Sequence, residues 1–237
     1  MNVAIVTPTI NSDFLWKCID SVQTQTYDNL KHYVVIDGKI HRNGVFDKLF
    51  AFGGNKPFTT IQLDENVGKG WYGHRVYAAS SFLVNADIIC YLDEDNWLDC
   101  DHIESLVRVI EMGNDWAYSL RKICDRDGNF VCNDDCESLG VWPVFHNDDT
   151  FHIDTSCFAV KVDVATKVGH SWYNQWGADR VFFNTLKKYF PTYNCSYKYS
   201  LNYRLEGNEG SVTQDFFKAG NNINKNRYNP LPWGSEK

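Results

Sequence analysis

No stretch of this sequence approaches the roughly 20 consecutive apolar residues that a membrane-spanning helix requires. No basic leader precedes the first strand-like run, Val3-Ala4-Ile5-Val6. A soluble, cytoplasmic protein with no transmembrane segment is the expectation. Positive charge is also scarce: 23 Lys and Arg stand against 30 Asp and Glu, a net −7. Such a field attracts neither a nucleic-acid backbone nor an anionic lipid surface, so the expected partners are small or neutral molecules and not nucleic acid. The eight cysteines include no Cys-x-x-Cys and are scattered, mostly in apolar segments, which points to reduced thiols. Only Cys132, Cys136 and His146 offer a spacing that could suggest zinc. Finally, no glycine-rich loop follows the first strand, where Pro8-Thr9-Ile10-Asn11 stands instead. The dinucleotide fold and the P-loop both need glycines there to let backbone amides approach phosphate. A nucleotide bound here therefore needs another source of positive charge.

What is present reads as α/β. The 237 residues suffice for one large domain with a full core. Strand-like runs at 3–7, 32–36, 58–63 and 88–92 alternate with helical spacing, such as Phe14, Leu15, Cys18, Ile19 and Val22, and this alternation predicts a doubly wound, mostly parallel sheet. Beyond residue 110 the pattern predicts strands at 116–123 and 151–160, helices at 162–169 and through Leu186, and long polar loops between. Residues 197–205 alternate strictly, with Tyr197, Tyr199, Leu201, Tyr203 and Leu205 on one face, as in a half-buried strand. The segment after Gly220 is polar and broken by prolines, and reads as a tail.

The chemistry is concentrated at Tyr91-Leu92-Asp93-Glu94-Asp95-Asn96-Trp97. Two carboxylates one residue apart at a strand's C-terminal end can aim at one hard cation, which when shared with a substrate holds phosphate oxygens. Asp-x-Asp occurs three times, at Asp93/Asp95, Asp99/Asp101 and Asp125/Asp127, and composition alone produces about two. Context separates them. Asp101 with Glu104 fits a helix capping box, residues 125–129 read as a turn, and only Asp93/Asp95 follows a buried strand. Asp37, before Gly38, is a second carboxylate at a strand end.

Taken together, VAIVTPTIN, CIDSVQTQTYDNLKHYVVIDG, NVGKGWYGHR and YLDEDNW resemble, in order and spacing, the inverting nucleotide-sugar glycosyltransferases of the GT-A fold, family 2-like. The resemblance covers roughly residues 3–110 and continues more thinly over 151–212 in VKVDVATKVG, WGADRVFF and YRLEGNEGS. It implies a Rossmann-like GT-A domain over 1–220, with a nucleotide-sugar half at 1–110, an acceptor and catalytic half at 111–220 built on a smaller mixed sheet, and the tail at 221–237. It implies that Thr7, Pro8 and Thr9 line the nucleoside pocket and that Asp37 reads the base. Asn66, Gly68 and Arg75 are placed near base or phosphates, Asp93 at ribose and metal with Glu94 beside it on the donor, and Asp95 on the metal. Asp179 is the implied catalytic base. Two residues depart from the family pattern: Ala178 replaces the glutamate before that aspartate, and Glu206 stands where many relatives carry a histidine, so no third metal or phosphate contact is implied there.

The implied donor is a UDP- or GDP-linked sugar, the cofactor Mn²⁺ or Mg²⁺, and the acceptor a saccharide or glycoconjugate. Acceptor contacts are expected from His152, Asp154, Trp172 and Trp176, because aromatic faces stack on sugar rings and polar groups bond their hydroxyls. A metal-dependent nucleotidyltransferase would share the acidic pair but needs a basic glycine loop. A glycoside hydrolase would leave the nucleotide half without a purpose. A non-catalytic nucleotide-sugar or sugar-binding module is the alternative from outside enzymology.

Overall fold

The computed structural model describes residues 1–51, 54–205 and 212–234. Its strands are β1 (Val3–Thr9), β2 (Leu30–Asp37), β3 (Phe58–Leu63), β4 (Ile88–Tyr91), β5 (Trp97–Leu98), β6 (Trp116–Cys124), β7 (Phe130–Asn133), β8 (Phe158–Lys161) and β9 (Tyr193–Arg204). The helices are α1 (Leu15–Gln23), α2 (Arg42–Ala51), α3 (His74–Ser80), α4 (His102–Glu111), α5 (Val162–Val168), α6 (Ala178–Tyr189) and α7 (Gln214–Arg227). The strands form one sheet in the order β3-β2-β1-β4-β8-β6-β9-β5, with β7 on β6. Pairing is parallel from β3 through β4 and mixed beyond.

Helices cover both faces of the parallel part, so β1 and β4 are buried on both sides and read as continuous apolar runs. The chain lays β2 and β3 on one side of β1 and β4 on the other. The C-terminal ends of β1 and β4 therefore flank the crevice where open α/β sheets bind ligands. Leu92 N donates to Val6 O (2.9 Å), extending this pairing to the residue before the acidic triplet.

Several elements differ from the sequence expectation. Asp101 does precede α4 but makes no side-chain cap; its carboxylate is drawn across to Lys198 on β9, while Glu104 bonds Thr26 and Arg108. The alternation in β9 does not mark a solvent face. Ser200, Asn202 and Arg204 are buried, because β9 lies inside the sheet between β6 and β5 with α4 packed on it. Their polar groups are satisfied internally: His102 Nδ1 lies 2.8 Å from Ser200 Oγ, and Asn202 Nδ2 donates to Asp99 Oδ1 (2.8 Å). Of the expected 151–160 strand only 158–160 pairs, in a strand that runs on to Lys161. Ahead of it, Asp154 caps a short 3-10 turn by accepting from Ser156 N.

The tail beyond Gly220 is not a tail. α7 runs to Arg227, and two of its asparagines, Asn221 and Asn224, face inward to hold the loop after β7. Asn221 Nδ2 donates to Asn133 O (2.7 Å), Asn221 Oδ1 accepts from Asp135 N (2.9 Å), and Asn224 Nδ2 donates to Asp135 O (2.8 Å). Farther on, Trp233 is fully buried and donates from Nε1 to Asp135 Oδ1 (3.0 Å). Cys132, Cys136 and His146 form no metal cluster: among the described residues no three or more His, Cys, Asp or Glu side chains converge as one.

Candidate active site

At the β4 end the three acids have three different fates. Glu94 turns back onto β1, accepting from Thr9 Oγ1 (2.6 Å), Ser12 N (2.9 Å) and Ile10 N (3.2 Å). It ties down the turn that the proline opens, and lines the cavity with its carboxylate already engaged. Asp93 accepts from Tyr77 Oη (2.7 Å) and Ser156 Oγ (3.3 Å). Burial, then the neighbouring Asp95 and Asp154 charges, push its pKa well above the ordinary carboxylate value. Burial and the Glu94 charge raise Asp95 to about 6. Arg204 braces the turn from outside: its Nε donates to Asp95 O (3.0 Å), its backbone N to Asn96 Oδ1 (3.0 Å), and its guanidinium lies over Phe14 and Trp97.

The second carboxylate at a strand end, Asp37, accepts from Val67 N (2.7 Å) and Gly68 N (2.8 Å). A Cβ on Gly68 would stand 2.6 Å from Asp37 Oδ2, so only glycine lets the chain approach this closely. Pro8, Thr9, Asn66 and Gly68 line the same end of the cavity. Two residues expected there are absent from its lining. Thr7 is buried beneath, its Oγ1 2.9 Å from His32 Nε2, because residues alternate along β1 and this one faces α1. Arg75 lies 3.9 Å over the Trp71 ring and 5.5 Å over Tyr173; the aromatic faces hold the guanidinium that phosphates were expected to attract.

The opposite wall comes from the second half of the chain. Asp179 sits in the first turn of α6, where its Oδ1 accepts from Arg180 N (2.8 Å), and burial raises its pKa. His152 Nε2 lies 3.7 Å from Asp179 Oδ2. Asp154 belongs to a hub that the sequence did not disclose. Arg121, 2% exposed, donates to Asp134 (2.7 Å), Glu137 (2.6 Å) and Asp154 (2.6 Å). A lone arginine inside an apolar strand was the available signal, but its partners lie 13, 16 and 33 residues away. Glu137 also receives Arg180 (3.4 Å), whose guanidinium covers Trp176. Trp176 is 73% exposed on the rim, as an acceptor contact requires. Trp172 is not: it is 0% exposed, stacked on Phe182 at 4.3 Å and packed against Tyr77 and Tyr91. Glu206 lies outside the described residues.

Both walls line one cavity of about 860 Å³, which Asp37 and Gly68, Asp93 and Asp95, and His152, Asp154 and Asp179 share. The family model for glycosyl transferase family 2 matches residues 4–135. The chain belongs to this family. The family 2 match carries the crevice and the acidic strand end, and stops short of Asp179.

Two curated relatives are glycosyltransferase GlyA of Streptococcus pneumoniae serotype 4, 30% identical over 112 residues, and an N-acetylglucosaminyltransferase of Rhizobium sp., 31% identical over 113 residues. Each alignment covers 46% of this chain, but only 15% and 24% of those proteins. Among solved structures, S. aureus TarS 1-349 in complex with UDP-GlcNAc superposes with a TM-score of 0.67 at 14% identity, over 90% of this chain and 62% of that one. At that identity the superposition establishes the GT-A fold for this family 2 chain. No helix among the described residues is long and apolar enough to cross a membrane.

Proposed function

We propose that this protein transfers a sugar from a nucleotide-diphosphate sugar to a hydroxyl of a saccharide or glycoconjugate, by a single displacement that inverts the anomeric centre. One observation carries the proposal: a single cavity joins a half-buried carboxylate pair at the sheet's ligand-binding edge to a separate half-buried carboxylate, Asp179. A divalent cation fits the pair. Burial and mutual repulsion disfavour two ionised groups at Asp93 and Asp95, and a cation relieves both. Two carboxylates without a third protein ligand suit an ion that shares phosphate oxygens and water. Bound there, Mn²⁺ or Mg²⁺ supplies Lewis-acid stabilisation of the departing diphosphate.

This chain's own residues do the remainder. Asp37, held by two backbone amides, presents an acceptor for a base N–H, and the Glu94-anchored turn fixes Pro8 and Thr9 against the nucleoside. Asp179 removes the proton of the attacking hydroxyl, and its burial brings its pKa closer to neutral, where a general base is effective. The exposed Trp176 ring offers a face to the acceptor sugar. We favour a UDP-sugar, supported by the TarS complex with UDP-GlcNAc and by the name of the Rhizobium relative. Calorimetric titration of UDP, GDP and their sugars, with and without Mn²⁺ or Mg²⁺, tests the donor site. Metal-dependent binding of one nucleotide, lost in Asp95→Ala, is the expected outcome; no binding under any metal condition would reduce Asp93 to Asp95 to a structural acidic turn.

A further inference from the structure

The buried groups around Asp179 include one that the proposed chemistry leaves unused. His152 is buried, it lines the same cavity, and its backbone carbonyl is anchored by Gly140 N (2.9 Å). Its Nε2 faces Asp179 Oδ2 at 3.7 Å, beyond hydrogen-bond range but within one small side-chain rotation of it. Its Nδ1 is buried without a hydrogen-bond partner among the described residues. These two facts assign the tautomer. A lone pair directed at a carboxylate would be repelled, so Nε2 carries the hydrogen and Nδ1 the idle lone pair. The ring is neutral: burial first, then the Arg121 and Arg180 charges, lower its pKa against the pull of Asp179 and Asp154.

We propose that His152 is the positioning residue for Asp179, its Nε2–H directed at Oδ2 in the resting site and tightening onto it in the reactive complex, so that the carboxylate is aimed at the incoming hydroxyl. Long contacts of this kind in unliganded sites commonly tighten in the reactive complex. The role is needed because the other ionised neighbours divide their effects. Asp154 opposes ionisation of Asp179 and Arg180 favours it, while Arg180 and Arg121 are both drawn to Glu137, and Arg121 also to Asp134 and Asp154. Among the described residues the His152 ring makes no competing hydrogen bond.

The inference rests on Asp179 being the base of the proposed transfer, and its test separates the two. Donor cleavage by water would be followed with UDP-GlcNAc and Mn²⁺ across pH for wild type, His152→Gln and His152→Leu. Leucine fills the space without a donor, whereas glutamine keeps an N–H. His152→Leu is expected to lower kcat about 10- to 100-fold with donor KM unchanged, and to move the acidic limb to higher pH, since a donor that favours the ionised carboxylate is gone. His152→Gln is expected to recover most of kcat. Equal losses in both variants, or an unshifted limb in His152→Leu, overturn the assignment. Independently of turnover, carbon-detected NMR titration of the Asp179 carboxyl should show a higher midpoint in His152→Leu. An unmoved midpoint overturns the pairing even if no nucleotide sugar is cleaved; a moved midpoint in a protein that cleaves none keeps the pairing and removes the transfer reaction.

Discussion

Replacing Arg121 with methionine takes away the cation that Asp134, Glu137 and Asp154 share at 2.6–2.7 Å. All four side chains are buried, so the variant leaves three acids facing one another in a low dielectric. Breaking a buried ion pair from one side costs about 3–5 kcal/mol, and three stranded partners place this variant near the upper end. For a domain of this size the melting temperature falls roughly 2–4 °C per kcal/mol, so a drop of about 10–20 °C is expected. The pH dependence is the sharper signature. In the wild type burial pushes Asp134 up, but Arg121 and the Ser138 and Cys136 amides outweigh it and hold the carboxyl below its ordinary value. Such a group contributes stability above its unfolded pKa that is lost as pH falls through the folded one. Without Arg121, burial and mutual repulsion raise the folded pKa of Asp134 above its unfolded value and push Glu137, already raised by burial, further up. The penalty is then largest at high pH and is relieved on acidification, so the gap between variant and wild type narrows from about pH 8 to about pH 5. Urea unfolding followed by tryptophan fluorescence at both pH values measures it. A loss below about 1 kcal/mol near pH 8, or a gap that widens as pH falls, would refute the hub as an electrostatic unit.

Gly68→Ala puts a methyl 2.6 Å from Asp37 Oδ2 and 3.2 Å from Gly73 Cα, displacing the carboxylate proposed to read the base. UDP affinity by calorimetry should fall about tenfold or more, equivalent to about 1.4 kcal/mol, and an unchanged Kd would remove Asp37 from recognition. Trp233→Ala empties a fully buried site and removes one of the two donors to Asp135 Oδ1, leaving Tyr199 Oη as the other. A stability loss of about 3–5 kcal/mol is expected in urea, and a loss within experimental error would show that the segment only rests on the surface. Asp179→Asn should retain nucleotide binding while turnover drops roughly 10²- to 10⁴-fold; residual turnover near wild type excludes it as base. In the wild type, turnover should rise with pH through a midpoint above the ordinary carboxylate range, because burial raises Asp179 and only its ionised form accepts a proton.

Legibility follows the range of the interactions. β1, β2 and β4 could be read because strands buried on both faces are largely continuous apolar runs closed by turn residues, and the Asp93/Asp95 strand end emerges from that local context; β3, the half-exposed edge strand, is legible from its β-branched residues. α2 is not legible in this way: it buries only Val45 and Leu49, too few for a clear stripe. Long-range partnerships defeated the rest. Arg121 finds its carboxylates across 13 to 33 residues, and the polar face of β9 is buried because His102 and Asp99 meet it from another element. Thr7, placed by the resemblance, and Trp172, placed by residue type, do not reach the surfaces expected of them, since neither motif nor type says which way a side chain faces. Asp179, implied as base by the resemblance, and His152 and Asp154, expected as acceptor contacts, line one cavity with the acidic strand end although all three are distant from it in sequence.

The inward asparagines of α7 and the buried Trp233 have a consequence for how this molecule opens. The loop at residues 133–137 has part of its backbone bonded to side chains of the final helix, and that loop delivers Glu137 and Asp134 to Arg121. The final helix, the loop and the acceptor-side wall should therefore fluctuate as one cooperative unit, separable from the parallel strands that hold the nucleotide end. In hydrogen exchange the amides of α7 and of residues 134–138 should share one opening free energy, lower than that of β1 and β4, so that mild destabilisation would loosen the acceptor wall while the donor half stays closed.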